Sequence, residues 1–363
     1  MKVLFVDLER EWRGGQSQAL LTIQGLRDNG HEVELLAARD SPVAKRATQK
    51  GIPVREVVRF GLRVWAARAM QRLIAQGRFD LVHLNEPHAV TSAWMAGVQG
   101  RLPILFSRRI GFPLRKNWVS RRRYCAIDRF LPNCNAVAKS LKEAGIADER
   151  LSVVNEGVEV PPSVTPEMRQ SARIQWGVKE TEFLFGCTSV LVPEKGHRHL
   201  IEAFPRVREQ FSQARLLLAG DGKCRAELES LAKRPGQNKA VIFAGFVENI
   251  DQVYQALDAF VFPSEFEGTG TALQAAMAWG LPCISTARGG LHEVVDDERT
   301  AIVVEPGGKE FAGAMIRLIG NPGLRKKLGE AGRREIENRF SAEQMVKNTI
   351  RVYEDVLTKW RTR

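Results

Sequence analysis

Long apolar runs are missing from this chain of 363 residues. No stretch approaches the roughly 18 apolar residues that a membrane-spanning helix needs. The opening Met1-Lys-Val-Leu-Phe-Val-Asp7 meets charge too soon for a secretory leader, so a cytoplasmic protein is expected. Paired cysteines are missing too. The five, at 125, 134, 187, 224 and 283, are odd in number, scattered and without a CxxC pair, and read as reduced, packed thiols. There is no low-complexity tract or internal repeat, and no helix-turn-helix, zinc or aromatic RNA-binding signature, so nucleic acid is not an expected partner. Metal-site spacing is also absent. His197 and His199 form an HxH without an acidic or cysteine ligand nearby, and His292-Glu293 lacks the rest of HExxH. No metal and no cofactor is expected.

What is present in excess is positive charge. The net charge is +12, and residues 101–130 carry nine basic side chains (Arg101, Arg108, Arg109, Arg115, Lys116, Arg121, Arg122, Arg123 and Arg129) against the single acid Asp128. One short stretch therefore holds +8 of the excess. It reads either as a solvated face or as a dock for an anionic partner, a membrane leaflet or a phosphorylated substrate. Trp118, between Lys116 and Arg121, suits an interface and suits a core equally well.

The hydrophobic pattern alternates short apolar strands with amphipathic helices. Strands are expected at 2–7, 31–38, 54–58, 80–84, 103–107, 129–132 and 151–154. A second series is expected at 183–187, 215–219, 240–244, 259–262, 283–285 and 301–304. Helices fall between them, among them 18–29, 66–76, 89–98, 197–209 and 271–279, and a last one at 342–360. This is the pattern of parallel, doubly wound α/β sheets. The length suggests about two domains, and the turn-rich residues 155–166 mark the break between them. The division is 1–160, 161–341 and a C-terminal helix at 342–363, giving two doubly wound domains facing a central cleft.

Several strand ends carry loops suited to a ligand. Gly14-Gly15 precedes a helix and allows close backbone approach to a phosphate, although it lacks the GxGxxG spacing of a dinucleotide site. In the second half, Lys195, Gly220, Gly245-Phe246 and Glu267 each follow an apolar strand. Glu267 begins Glu-Gly-Thr-Gly-Thr271, a carboxylate in a glycine loop just before a helix. Parallel strands place their carboxyl ends on one edge, where ligands bind in open α/β sheets.

Taken together, MKVLFVD, GGQSQAL, DLVHLNEPHA, NEGV, VPEKGH, LLLAGDG, FAGF and VFPSEFEGTGTALQAAMAWGLPCISTARGG resemble family 4 glycosyltransferases over essentially the whole length. The resemblance implies the GT-B fold, with two Rossmann-like domains: an acceptor domain first, then a domain for a nucleotide-sugar donor (UDP- or GDP-linked), and a final helix packing back on the first. It implies retaining, metal-independent transfer. It also implies roles: Lys195 on the donor diphosphate, Glu267 on the transferred sugar, Gly268, Thr269, Gly270 and Thr271 around sugar and phosphate, Phe246 beside the base, Gly220 lining the donor crevice, and Gly14 and Gly15 near the diphosphate.

Three positions depart from the family pattern. Ala275 stands where a second glutamate holds the ribose, Val190 where an arginine partners the lysine, and Arg109 where a histidine follows the fifth strand. Arg108 or Arg109 is expected to restore positive charge opposite the phosphates. The acceptor is expected to be a lipid-linked or anionic glycan met at an anionic inner-membrane surface by Arg108, Arg115, Lys116, Trp118, Arg121, Arg122 and Arg123. The alternatives are a non-catalytic sugar-nucleotide-binding or partner protein of the same fold, or an epimerase.

Overall fold

A computed structural model describes residues 1–363 apart from 78, 110–113, 115–116, 234–239 and 363. The chain forms two compact units. The first comprises Met1–Gly157 with Ala342–Arg363, and the second is Val158–Ser341.

In the first unit the strands are β1 (Lys2–Asp7), β2 (Glu32–Ala38), β3 (Val54–Val57), β4 (Leu81–Leu84), β5 (Ile104–Arg108) and β6 (Arg129–Pro132). They pair in the order β3-β2-β1-β4-β5-β6, and every pairing is parallel. Helices cover both faces, so the strands read as unbroken apolar runs rather than as alternation. Side chains of β1 still alternate between two cores, as the pleat requires. Leu4 and Val6 join Phe106 and Phe130 on one side, while Val3 and Phe5 join Ile23 and Leu35 on the other.

The terminal helix Ala342–Arg361 completes that second core with Met345, Val346, Tyr353 and Leu357. It lies close against the helix Gly14–Asp28. A Cβ on Gly25 would sit 2.3 Å from Val346 Cγ2, so a side chain there would force the two helices apart.

The second unit repeats the plan with β7 (Phe183–Thr188), β8 (Ala214–Ala219), β9 (Val241–Gly245), β10 (Ala259–Phe262), β11 (Cys283–Ser285) and β12 (Ile302–Val303). The order is β12-β11-β10-β7-β8-β9, again all parallel. Counted from its own first strand, this is the same winding as in the first unit. Asp258 fixes the start of β10 against β7. Its carboxylate accepts from Leu184 N at 2.7 Å, from Arg173 Nη2 at 2.8 Å and from Arg169 Nη2 at 2.5 Å. Charge-assisted bonds of this kind are the stronger class, and they hold in register the two strands that carry the site described below.

Several sequence expectations need correction. Residues 151–154 do not form a seventh strand. Ser152 N and Val154 N donate to Phe130 O and Pro132 O, but only an isolated bridge at Leu151 results. The first helix begins at Gly14 rather than at 18, so the glycine pair forms its first turn instead of a loop ahead of it. The helices Trp118–Cys125 and Pro166–Gln175 go beyond the sequence pattern. The break between units falls after Gly157. Of the cysteines, 134, 187 and 283 are buried thiols, but Cys125 is exposed.

Candidate active site

In a doubly wound sheet the strand order reverses at one point, and the loops after the two strands flanking it diverge to leave a crevice. In the second unit those strands are β7 and β10. The chain leaving β7 runs to a short turn, Pro193–Lys195, capped by Gly196 at φ 67°. A Cβ on Gly196 would stand 2.2 Å from Pro263 O, so only glycine lets this turn lie against the loop after β10. Glu265 N donates to Glu194 O at 2.9 Å and joins the two loops.

This contact brings together side chains 72 positions apart: Lys195 Nζ donates to Glu267 Oε1. Ser264 Oγ donates to the same oxygen at 3.1 Å. Gly290 N donates to Glu267 O at 3.1 Å, and a Cβ on Gly289 would come within 2.2 Å of that carbonyl, so the 289–290 turn seats the glutamate backbone.

The neighbouring strand ends complete the edge. Gly220, at φ 145°, donates to Gly245 O at 2.8 Å, and a Cβ there would lie 2.0 Å from Ser189 O. Phe246, just past β9, is 74% exposed. Val190, at the position of the missing arginine, is also exposed. Gly268, Thr269 and Gly270 lead into the helix Thr271–Ala278. Thr269 is fully buried, and Gly270 at φ 63° is the residue before the first turn. Ala275 lies inside that helix and adds only a methyl group to the core beneath it. Beside Lys195, His197 is buried and pairs with Ser189 Oγ at 2.9 Å. Burial and the Lys195 charge push its pKa down to about 4, so it is neutral at pH 7.

The first unit gathers a second constellation at the ends of β1, β4 and β5, where its own strand order reverses. Asp7 is buried and accepts from Asn85 Nδ2 at 2.6 Å and from Gln16 Nε2 at 3.1 Å. Arg109 Nε meets Glu156 Oε1 at 3.1 Å, and its Nη1 donates to Asn85 Oδ1 at 2.6 Å. Asn133 Nδ2 donates to the other Glu156 oxygen at 3.0 Å. Burial lowers the pKa of Arg109, and Glu156 and Asp7 oppose the shift. Gly15 belongs to this cluster. Its carbonyl accepts from Asn85 Nδ2 at 3.1 Å, and a Cβ on it would lie 4.0 Å from Arg109 Cδ. Arg109 is thus engaged by a carboxylate of its own unit, which the sequence did not foretell. Behind it, His83 Nε2 meets Ser107 Oγ at 2.8 Å, while His83 Nδ1 meets the Tyr353 hydroxyl of the terminal helix.

Glu86, which caps the helix Pro87–Met95, has a pKa pushed up to about 8 by burial and by Asp7, against the pull of three backbone N–H groups. The folded chain holds a proton there that the unfolded chain releases. The stability linked to Glu86 is therefore complete below pH 4.5 and lost as pH rises through about 8. Glu86→Gln should lose less thermal stability than the wild type between pH 4.5 and 8. Parallel curves for the two proteins would refute the protonated form.

The basic stretch divides. Trp118 is 65% exposed, which removes the core reading, and the Arg122 guanidinium lies 4.8 Å over its ring. Arg121 and Arg122 are exposed on the same helix, and Arg123 is partly buried. Arg108 is a correction: it is only 8% exposed and lines a cavity instead of the outer surface. Arg115 and Lys116 lie outside the described residues. Among the described residues no helix is long and apolar enough to cross a membrane, and no three His, Cys, Asp or Glu side chains are grouped to hold a metal ion. Asp7, Asn85, Glu86, Asn133 and Glu156 are site residues that motif reading leaves without a role. The signal for three of them was the polar run Asn85-Glu86 at a strand end and Glu156 at the unit boundary.

Comparison with known proteins agrees with this architecture. Residues 12–160 match the Glycosyltransferase Family 4 description, and residues 168–335 match Glycosyl transferases group 1. The chain belongs to the GT-B glycosyltransferases of the family 4 type. Among its relatives is an uncharacterized glycosyltransferase of Methanocaldococcus jannaschii, 25% identical, with 91% of each chain covered. Another is the GDP-mannose-dependent monoacylated alpha-(1-6)-phosphatidylinositol monomannoside mannosyltransferase of Corynebacterium glutamicum, 33% identical over 50% of this chain and 49% of that one. Among solved structures, Anabaena HepE in complex with UDP and glucose superposes with a TM-score of 0.84 at 21% identity, covering 98% of this chain and 99% of that one.

Proposed function

We propose that this glycosyltransferase transfers a sugar, with retention of anomeric configuration and without a metal, from a UDP- or GDP-linked donor to a lipid-linked or anionic glycan acceptor. The donor is taken by the second unit and the acceptor by the first. The observation that carries the reading is the Lys195–Glu267 pair at the ends of β7 and β10, beside the 268–271 loop. Cleaving a sugar–phosphate bond leaves negative charge on the departing diphosphate and positive charge on the anomeric carbon. Lys195 and the N–H groups of the glycine loop answer the first, and Glu267 orients the sugar and answers the second. In this scheme the acceptor hydroxyl attacks on the face from which the diphosphate leaves, and the leaving phosphate takes its proton. Donor binding also replaces the Lys195–Glu267 contact with two contacts to substrate, so the pair holds both side chains ready.

The HepE complexes with UDP, glucose and UDP-glucose support a nucleotide-sugar donor. The phosphatidylinositol-linked acceptor in the name of the C. glutamicum relative supports a lipid-linked one. The exposed Trp118, Arg121 and Arg122 support peripheral attachment to the inner face of the plasma membrane. Ala275 favours a second reading, a sensor that binds donor without turning it over. Incubating the protein with a panel of UDP- and GDP-sugars, with and without lipid acceptor, should release nucleoside diphosphate for at least one donor. Binding of a donor without release from any would establish the sensor instead.

A further inference from the structure

Strand β7 ends at the point where the strand order reverses, and a pair of side chains there has no task in the chemistry above. Ser189 is the first residue past β7, and His197 is the first residue of the helix His197–Gln210. Ser189 Oγ and His197 Nε2 lie 2.9 Å apart. The Ser189 backbone is held from both sides. Its N–H donates to Ala219 O at 3.1 Å, and Gly220 packs so near that a Cβ there would lie 2.0 Å from Ser189 O. The hydroxyl thus belongs to the strand ends that line the crevice.

The charges of Lys195 and Glu267 reach this point. Burial pushes the Cys187 thiol, whose Sγ is 3.9 Å from Ser189 Oγ, up to about 12, with Ser189 and Lys195 opposing the shift and Glu267 adding to it. Burial lowers the His197 pKa, and Lys195 lowers it further. Gly196 offers no side-chain cap to the helix that follows, so the positive end of that helix stands beside Lys195. Val190, next to Ser189, is exposed and has no side-chain donor.

Burial also sets the direction of the hydrogen bond. His197 is 2% exposed and neutral at pH 7, so one ring nitrogen carries the proton. Nδ1 is buried without a partner among the described residues. A proton there would be a buried donor without an acceptor, and a bare lone pair is the lesser cost. The proton therefore sits on Nε2, which donates to Ser189 Oγ. With its oxygen engaged as acceptor, the serine has its own proton to give. The other partner of that hydroxyl among the described residues is the Cys187 thiol at 3.9 Å, a weak acceptor. A half-buried hydroxyl with a free proton, set among cationic groups, suits an anionic oxygen.

We propose that Ser189 donates its hydroxyl proton to the diphosphate of the nucleotide-sugar donor, and that His197 is the positioning residue that turns it there. This rests on the donor-binding reading of the second unit and adds a diphosphate contact to it. The chain Nε2–H to Oγ–H to phosphate also polarises the serine hydroxyl toward the leaving group.

The test compares UDP with uridine, and GDP with guanosine, by equilibrium binding, so that the ratio within each pair reports the diphosphate alone. Ser189→Ala should lower the ratio by about tenfold, the worth of one charge-assisted hydrogen bond, and leave nucleoside affinity unchanged. His197→Leu, which keeps the buried volume but has no donor, should lower it to a similar extent. His197→Gln should restore most of it, because the amide Nε2 can donate to Ser189 Oγ in place of the ring. A purely structural role for His197 would change thermal stability without moving the ratio. The double variant Ser189→Ala/His197→Leu should match Ser189→Ala, since the histidine acts through the serine. A wild-type ratio in Ser189→Ala overturns the proposal, and that variant carries the test if His197→Leu unfolds. A wild-type ratio in folded His197→Leu, or losses that multiply in the double variant, overturn the positioning role. If the wild type binds neither diphosphate, the donor reading itself falls; if it binds one and Ser189→Ala binds it equally well, the serine contact alone falls.

Discussion

Glu267→Ala is expected to cut sugar transfer by about 100- to 1,000-fold, the usual cost of removing one group aimed at charge that develops in the transition state. It should leave the fold intact. Glu267 is anchored through its backbone, its carbonyl accepting from Gly290, and Lys195 remains partly solvated when its partner is gone. Binding of UDP should be unchanged or tighter, because Lys195 then has no carboxylate to leave before it meets a diphosphate. Lys195→Ala should behave differently, weakening UDP by about 10- to 100-fold through loss of a charge-assisted bond and lowering turnover with it. The double variant should be no worse than the poorer single one, since the two side chains act as a unit. Steady-state release of nucleoside diphosphate, equilibrium UDP binding and circular dichroism together decide the matter. If Glu267→Ala kept half of the wild-type turnover, the carboxylate would have no part in the chemistry.

Much of this site is legible in the sequence. Lys195 and Glu267 are read from loops that follow apolar strands, and parallel pairing then puts both loops on one edge. Their direct contact was not legible, because it depends on β7 and β10 being neighbours, and strand order is a property of pairing across the whole second unit. The same limit explains Arg109. A sequence shows that an arginine follows β5, but its counter-ion Glu156 arrives from the far end of the unit, after β6, and only the assembled sheet brings the two together. Residues 151–154 fail for another reason. They have the apolar character of a strand and even run beside β6, yet they lie at a sheet edge and make too few ladder bonds. Gly14 and Gly15 read as a loop ahead of a helix, yet glycine's helix penalty belongs to helix interiors, and these two occupy the first turn. Arg108 and Trp118 show the local pattern reaching its limit in both directions. Neighbouring basic residues looked alike, and packing of three helices buried one and exposed the helix of the others.

Arg109→Met separates the two roles open to that arginine. If its charge serves the fold, removing it takes the guanidinium from the buried Glu156 carboxylate, and the loss of one partner from a buried pair costs about 3–5 kcal/mol. The variant should therefore unfold at clearly lower urea concentration than the wild type. Adding Glu156→Gln should recover a large part of the loss, because the amide carries no charge to be buried without its guanidinium and can still accept from Asn133 Nδ2, now 3.0 Å from the carboxylate. Such recovery is the mark of a pairwise interaction, visible only in the double-variant cycle. UDP affinity of the refolded double variant should match the wild type if the donor phosphates rely on Lys195 alone. The opposite pattern, a variant that unfolds within about 1 kcal/mol of the wild type but has lost UDP binding, would show that Arg109 serves the donor and not the fold.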